Sequence, residues 1–470
     1  MRRAKIIATL GPRTRDARSV RALIEAGVDV FRLNLAHESF DEHRMAAEVV
    51  RSQAQSVGKV VGVLTDLPGP KMRTGSVRED HVVLEAGNTF VLTAERIEGD
   101  ERRVSTTVPE LATLVSMGDE IFLADGAIVL RVTGTDGADV LTEVVRRGLL
   151  RSRKGMHLPS AESDIEFFGE RDRHALEFAV SIRADFVGLS FVRRGDDVLR
   201  VRVELPKRGS VPHLVAKIET QSAVSNLDEI VEAADVVMVA RGDLGIQTAL
   251  QRVPLLQKQI IRSCNLAGVP VITATQMLES MTQSPMPTRA EVADVANAVL
   301  DGTDALMLSE ETAIGEYPTE AVRVMAETIE AIGPAPVNAP DVADVKDDRV
   351  SWAVAHAAVQ AALDLEVAAI LCPTRNGSTP RRVAAFRPSM SIVGLSSRAE
   401  TLGALTMVWG VTPLGTGELP EGSTVGEDVD KVVVAARAAG LVKPEDMVAV
   451  VAGSPGRRAG RTDYMRIVRA

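Results

Sequence analysis

Along the chain, the pattern of apolar and polar positions changes character twice and then returns. At the start, short apolar runs alternate with longer amphipathic ones. KIIATLG (5–11) reads as a strand, 18–27 as a helix stopped by its glycine, and VFRLNLA (30–36) as a second strand. A helix over 41–57 and a strand VGVLTDL (61–67) follow. Strands apolar on both faces and separated by helices signal a parallel sheet covered on both sides. From about 75 to 153 the text becomes HVVLEAGNTFVLTAE, GDEIFLADGAIVLRV and DVLTEVVRRG. Short alternating strands with Gly and Asp turns predict a small antiparallel barrel or sandwich, inserted into the first pattern.

The strand–helix rhythm resumes after Pro159. Helices are expected at 171–183, near 196–206, and at 222–234, 254–267, 288–302 and 318–332. Between them lie the strands FVGLSFV (186–192), LVAKIE (214–219), VVMVARG (236–242), PVITATQML (270–278) and ALMLSEETA (305–313). Thr288 and Glu291 offer a capping box. Eight strands alternating with helices predict an α/β fold, a (β/α)8 TIM barrel (1–74 and 158–333) with an inserted β-barrel cap domain (75–157). GPAPVNAP (333–340) is a linker, and VAAILCP, SIVGLSS and MVAVVAG then mark a C-terminal α/β domain over 341–470.

Composition narrows the class. The 470 residues are 45% hydrophobic but only 3% aromatic, so the cores must be built from Ala, Val, Leu and Ile. A net charge of −10 argues against nucleic-acid binding. Two distant cysteines, Cys264 and Cys372, make neither a disulfide framework nor a Cys-based zinc site, and a reducing cytoplasm fits them. The apolar run in MRRAKIIATLGPRTRD is too short for a signal peptide, and no run approaches a membrane span.

In such a barrel the chemistry sits at the C-terminal ends of the strands. There the sequence offers Arg32 and Asn34 on one face, Asp66, Ser190, Lys217 and Glu219, Gly242 and Asp243, Thr273 and Thr275 on one face, and Ser309, Glu310 and Glu311. Lys217 and Glu219, two apart on a strand, share a face. A lysine inside an apolar run needs a counter-charge or an anionic ligand, and Glu219 is the nearest counter-charge. Gly242 and Gly245 are expected to let the backbone turn sharply around Asp243. Cations together with two carboxylates suit a divalent ion and a strongly anionic phosphate compound, the equipment of phosphoryl transfer.

The segments AKIIATLGPRTR, FRLNLAH, DLPGPKMRTG, SRKGMHLP, LSFVR, AKIE, VARGDLG, VPVITATQMLESM, PTRAEVADVANAVLDGTDALMLSEETAIGEYP and GRTDYMRIV resemble the pyruvate kinase family over essentially the whole chain. The resemblance implies the same barrel, cap and C-terminal domain. It implies transfer of the phosphoryl group of phosphoenolpyruvate to ADP, giving pyruvate and ATP. Carried over, Arg32, Lys217 and Thr275 are catalytic, and with Gly242 and Asp243 they bind substrate. Glu219 and Asp243 hold Mg2+ (or Mn2+), and Asn34, His37, Arg73 and Lys154 face the nucleotide. The family is usually a homotetramer.

Departures from the family pattern carry further expectations. Ala36 removes a hydroxyl from a K+ site of which Asn34 and Asp66 are the remnant, and Lys71 replaces a glutamate that accompanies K+ dependence. An ammonium can stand in for a monovalent cation at a phosphate site, so K+ is expected not to be required. Gln247, Glu310, His157 and Ser160 also depart. In the last domain, Thr374, Arg375, Asn376, Gly377, Ser378 and Thr379 follow an apolar strand as a phosphate nest, and the resemblance implies that this loop binds a phosphorylated effector. The alternatives are a catalytically impaired, sugar-phosphate-sensing homologue and a metal-dependent, enolate-forming lyase on the same barrel.

Overall fold

Apolar runs four to six residues long close on one another because their backbone groups find partners only in neighbouring strands. In a computed structural model, which describes residues 2–70, 72–124, 126–159, 166–206, 211–333, 341–345, 348–416, 425–454 and 460–470, eight parallel strands form a closed barrel. They are Lys5–Thr9, Val30–Asn34, Gly62–Asp66, Phe186–Leu189, His213–Ile218, Val236–Ala240, Val271–Ala274 and Ala305–Leu308. Pairing of Lys5 with Ala305 and of Ile7 with Met307 closes the ring.

The strand period of two sorts each run into an inner and an outer face. Ile7, Val30, Leu64, Phe186, Val215, Met238, Ile272 and Met307 fill the interior, while their neighbours pack outward against the helices. Continuing the inner set one step toward the C-terminal rim gives Thr9, Arg32, Asp66, Gly188 and Lys217. Polar chemistry therefore starts where the apolar filling stops.

The strands end sooner than the apolar runs predict. Past the rim there is no neighbouring ladder, and the chain turns back toward its outer helix. Arg241–Gln247 and Glu310–Ala313 are short helices rather than strand extensions. Gly242 and Gly245 lie inside the first of these, and neither has a positive φ, so the sharp glycine turn expected there is absent. The single helix predicted over 222–234 is two, Gln221–Ser225 and Leu227–Ala233. Asn226 marks the break, and its side-chain amide donates to the Arg193 carbonyl at 3.0 Å. The capping box at Thr288 is present, with both its bonds to Glu291.

The inserted domain packs around its own core, from Val77 to Leu158. A six-stranded sheet and the two-stranded ribbon of His81–Leu84 with Gly148–Arg151 share that core. One pair, Thr89–Thr93 with Arg103–Ser105, is parallel within the largely antiparallel sheet. Where the chain enters and leaves, Thr74 donates its N–H to the Lys154 carbonyl at 2.9 Å, and Met156 donates to that of Met72 at 2.9 Å. The cap thus stands on a hydrogen-bonded double strand.

The C-terminal domain is a five-stranded sheet. Its order is Val411–Gly415, Ser391–Ser396, Ala369–Pro373, Met447–Ala452 and Tyr464–Arg469, with the last strand antiparallel. It sits under the barrel floor. Met407 joins the barrel's inner cluster, and the Lys5 ammonium donates to the Val411 carbonyl at 2.6 Å.

Candidate active site

Four charged side chains meet inside the rim. Arg32 donates to Asp66 Oδ2 from Nη2 at 2.6 Å and from Nε at 3.0 Å, and its Nη1 donates to Thr9 Oγ1 at 3.2 Å. Lys217 Nζ donates to Ser190 Oγ at 2.8 Å, pairs with Glu219 Oε1 at 2.8 Å, and lies 3.3 Å from Asp66 Oδ1. Glu219 Oε2 accepts from the Phe191 N–H at 2.7 Å. Asp66 and Glu219 are 2% and 1% exposed. This room exists because the fourth strand carries Gly188, where a Cβ would come within 2.6 Å of Asp66 Oδ1.

Burial alone would lower the Lys217 pKa, but Asp66 and Glu219 outweigh it, so the ammonium is held well above the ordinary lysine range. Glu219 moves the other way, toward the neutral acid. Burial raises it, Lys217 offsets part of that, and the charge of Asp243 adds to it. With Asp243 nearby, three carboxylates face two cations, and the site is short of positive charge.

That shortage is what a divalent cation relieves. Among the described residues, no group of three or more His, Cys, Asp or Glu side chains could hold a metal by itself. Two carboxylates, with the remaining positions left to water and substrate oxygens, fit a magnesium-type ion, which dehydrates reluctantly. Glu219 and Asp243 fit such an ion.

The sixth and seventh strands supply a second, uncharged corner. Thr275 lies just beyond its strand at φ 71°, a costly conformation for a β-branched residue. Its hydroxyl accepts from the Gly242 N–H at 2.9 Å and donates to the Ala274 carbonyl at 2.6 Å. Arg241 holds the loop from behind, donating to the Thr275 carbonyl at 2.6 Å and pairing with Asp294 at 2.7 Å.

Other expected residues fall elsewhere. Thr273 does not share a face with Thr275: it points outward, fully buried, and donates to Thr303 Oγ1 at 3.0 Å. Glu311 serves the backbone, accepting from the Leu278 N–H at 3.0 Å and the Ser309 N–H at 2.7 Å, while Glu310 is exposed. Asn34 Oδ1 accepts from the Ala36 N–H at 3.3 Å, and His37 is exposed, its carbonyl accepting from His43 Nε2 at 2.8 Å. Lys71 and Ser160 lie outside the described residues.

Between cap and barrel opens a cavity of about 400 Å3. Arg73 and Lys154 line it from the cap's double strand, and Asp243 and Gln247 line it from the barrel. Arg73 Nη1 donates to the Arg153 carbonyl at 3.0 Å.

The 374–379 loop lies at the opposite end of the barrel. Asn376 and Gly377 sit beside Phe186, His213 and Val236, at the start of strands four to six. Arg375 and Asn376 are exposed. Thr374 Oγ1 is taken by the Gly377 N–H at 3.0 Å, and Thr379 is buried with its hydroxyl 2.9 Å from that of Thr462.

Two features of the rim were hidden from the sequence. Asp66 is the shared counter-ion of Arg32 and Lys217, a link across strands far apart in the chain. Ser190 orients the lysine as well as ending its strand. A glycine inside the apolar run FVGLS was the signal for the first, since it marks where the Asp66 side chain needs room.

Comparison with known proteins agrees with this fold. Residues 1–322 match the family model described as "Pyruvate kinase, barrel domain", and residues 352–468 match "Pyruvate kinase, alpha/beta domain". A pyruvate kinase of Thermococcus litoralis is 41% identical, covering 99% of this chain and 98% of that relative. One from Geobacillus stearothermophilus is 40% identical over 99% of this chain and 80% of its own length, and one from Bacillus licheniformis is 37% identical with the same coverage. With both domain models and full-length relatives in agreement, the chain belongs to the pyruvate kinase family.

Proposed function

We propose that this protein transfers the phosphoryl group of phosphoenolpyruvate to ADP, and that the four-charge cluster Arg32–Asp66–Lys217–Glu219 does the central work. The observation that carries the reading is that two cations are fixed by buried carboxylates before any substrate arrives. Preorganised charge costs no reorganisation at the moment of reaction. Arg32 neutralises the transferring phosphoryl group. Lys217, kept protonated by its neighbours, stabilises charge on that group and on the enolate oxygen left behind. The Gly242–Asp243 segment receives the substrate carboxylate. Thr275, strained and within hydrogen-bond reach of Gly242, binds substrate and helps deliver a proton to the enolate carbon. Glu219 and Asp243 would hold a Mg2+ ion, which would supply Lewis-acid polarisation of the phosphoryl oxygens. Asn34, His37, Arg73 and Lys154 face the nucleotide, and cap closure excludes water around it.

Lys71 takes the place of K+, so activity does not depend on that ion. The 374–379 loop binds a phosphorylated effector, with the exposed Arg375 and Asn376 meeting it, and the active form is a cytoplasmic tetramer. The test is pyruvate formation from phosphoenolpyruvate and ADP with Mg2+, with and without K+ at fixed ionic strength, beside Lys217→Ala. Strong turnover in both salts, reduced by about 10²–10³ or more in the variant, is the expected result. A large rate increase on adding K+ overturns the role given to Lys71. No turnover in either salt overturns the assigned reaction.

A further inference from the structure

Two polar groups in the cap cleft lack partners, and they are complementary. Gln247 Oε1 is buried with no hydrogen-bond partner among the described residues. The Lys154 side chain lines the same cavity from the cap's double strand, and no hydrogen bond or ion pair engages its ammonium among the described residues. One is an acceptor without a donor, and the other carries three donors without an acceptor. They stand on opposite walls. Gln247 is on the rim helix Arg241–Gln247, one turn beyond Asp243 and so on the same face. Lys154 is on the segment that must move when the cap moves. The two walls already approach one another at the cap's turn, where a Cβ on Gly126 would sit 3.8 Å from the Ile246 side chain.

We infer that Gln247 is a positioning residue for the cap: on closure its amide oxygen accepts a hydrogen bond from the Lys154 ammonium and aims that charge at the nucleotide polyphosphate. The amide suits this task. A buried acceptor without a donor is costly in the open state, so closure gains its bond without breaking another. A carboxylate at this position would also bind the ammonium. It would cancel the lysine's charge, however, and set a third anion beside Glu219 and Asp243. A neutral oxygen orients Lys154 and leaves its full charge for the ligand. Gln247 touches no reacting atom in this account and acts only through Lys154.

The inference rests on the reading of Lys154 as a nucleotide-facing residue. A double-mutant cycle in the full-length protein tests both. Gln247→Met keeps the length and removes the acceptor, and Lys154→Met removes the donor. Steady-state kinetics with Mg2+, ADP and phosphoenolpyruvate, together with thermal melts, are the readouts. Gln247→Met is expected to raise the KM for ADP about three- to tenfold. The KM for phosphoenolpyruvate and the melting temperature should stay near their wild-type values. Lys154→Met is expected to raise the ADP KM further, and adding Gln247→Met to it should change nothing more. Gln247→Glu should keep the contact and raise the ADP KM by a smaller factor.

The two readings fail separately. If Lys154→Met leaves the ADP KM unchanged, Lys154 is not at the nucleotide and the inference falls with that reading. If Lys154→Met raises it but the effect of Gln247→Met persists undiminished in that background, Lys154 stays with the nucleotide and Gln247 is removed from it. A wild-type ADP KM in Gln247→Met also overturns the inference.

Discussion

Asp66 is fixed by two cations at once, and that fixes them in turn. It accepts two bonds from Arg32 and stands 3.3 Å from the Lys217 ammonium, at 2% exposure. Such a group has little freedom to yield when crowded. Gly188→Ala would place a methyl 2.6 Å from Asp66 Oδ1, so the carboxylate, and with it both cations, must shift. Overpacking of this kind costs about 1–3 kcal/mol. The catalytic loss should be larger in proportion, because a displacement on the order of 1 Å can cost ~10²-fold in rate. Turnover of Gly188→Ala beside its melting temperature checks this, and a variant with near-normal turnover would mean that Asp66 does not position the cations. At this scale the sequence was partly legible. The strand period of two put Lys217 and Glu219 on one face, and so they are. It could not show that Asp66 joins them, because that contact crosses from the third strand to the fifth. The same rule wrongly paired Thr273 with Thr275, because the strand ends at Ala274 and Thr275 leaves the pleat with a positive φ.

Strands and helices were legible in kind and order, and less so at their ends. The apolar text runs on past each rim, as in TATQML and LMLSEETA, since Met277, Leu278 and Glu311 are buried beneath the loops that carry the site. Hydrophobicity reports burial, whereas a strand ends where its ladder partners end, and only the closed barrel decides that. The first two strands show how one polar residue can tie elements together. Asp29, just before the second strand, accepts from the Ile6 N–H at 2.9 Å and pairs with Arg2 at 2.7 Å and Lys59 at 3.7 Å. Burial would raise its pKa, but Arg2 and its other neighbours outweigh burial and bring it down to about 2. An unfolded aspartate titrates near ~3.9. The folded state therefore gains stability from this carboxylate above pH ~4 and loses it as pH falls through about 2. The contribution is ~2 kcal/mol at neutral pH. Asp29→Asn should be destabilised at neutral pH, and the gap to wild type should close between pH 4 and 2 in denaturant titrations. A gap that stays constant across that window would rule out the linkage.

At the scale of the whole molecule, the C-terminal domain forms the floor of the barrel, which nothing in its own strand pattern announced. Met407 completes from below an inner cluster to which all eight barrel strands contribute. The polar centre of this junction is Asp304, which precedes the eighth strand. Its carboxylate accepts from the Val271 N–H at 3.0 Å, which positions the seventh strand, and from the Trp409 N–H at 3.2 Å. Arg387 reaches up from the C-terminal domain to pair with it at 2.9 Å, donates to Asn265 and the Gly302 carbonyl at 2.8 Å, and stacks over Trp409 at 5.0 Å. Arg387 and Asp304 are both almost fully buried. Removing one member of such a pair costs about 3–5 kcal/mol, chiefly because the other charge is left uncompensated in the interior. Arg387→Met should therefore lower the melting temperature sharply and separate one calorimetric transition into two, as the floor detaches from the barrel. Asp304→Asn retains most of the hydrogen-bonding shape but not the charge. If the loss in Arg387→Met comes from the stranded carboxylate, the double variant Arg387→Met/Asp304→Asn should recover part of it. If the loss comes from the packing of Arg387 on Trp409, the double variant should be no better than the single one. Recovery would mean that the single variant suffers from its uncompensated Asp304 carboxylate and that the joint holds with a neutral centre. Its absence would mean that the packing of Arg387 on Trp409 holds the joint.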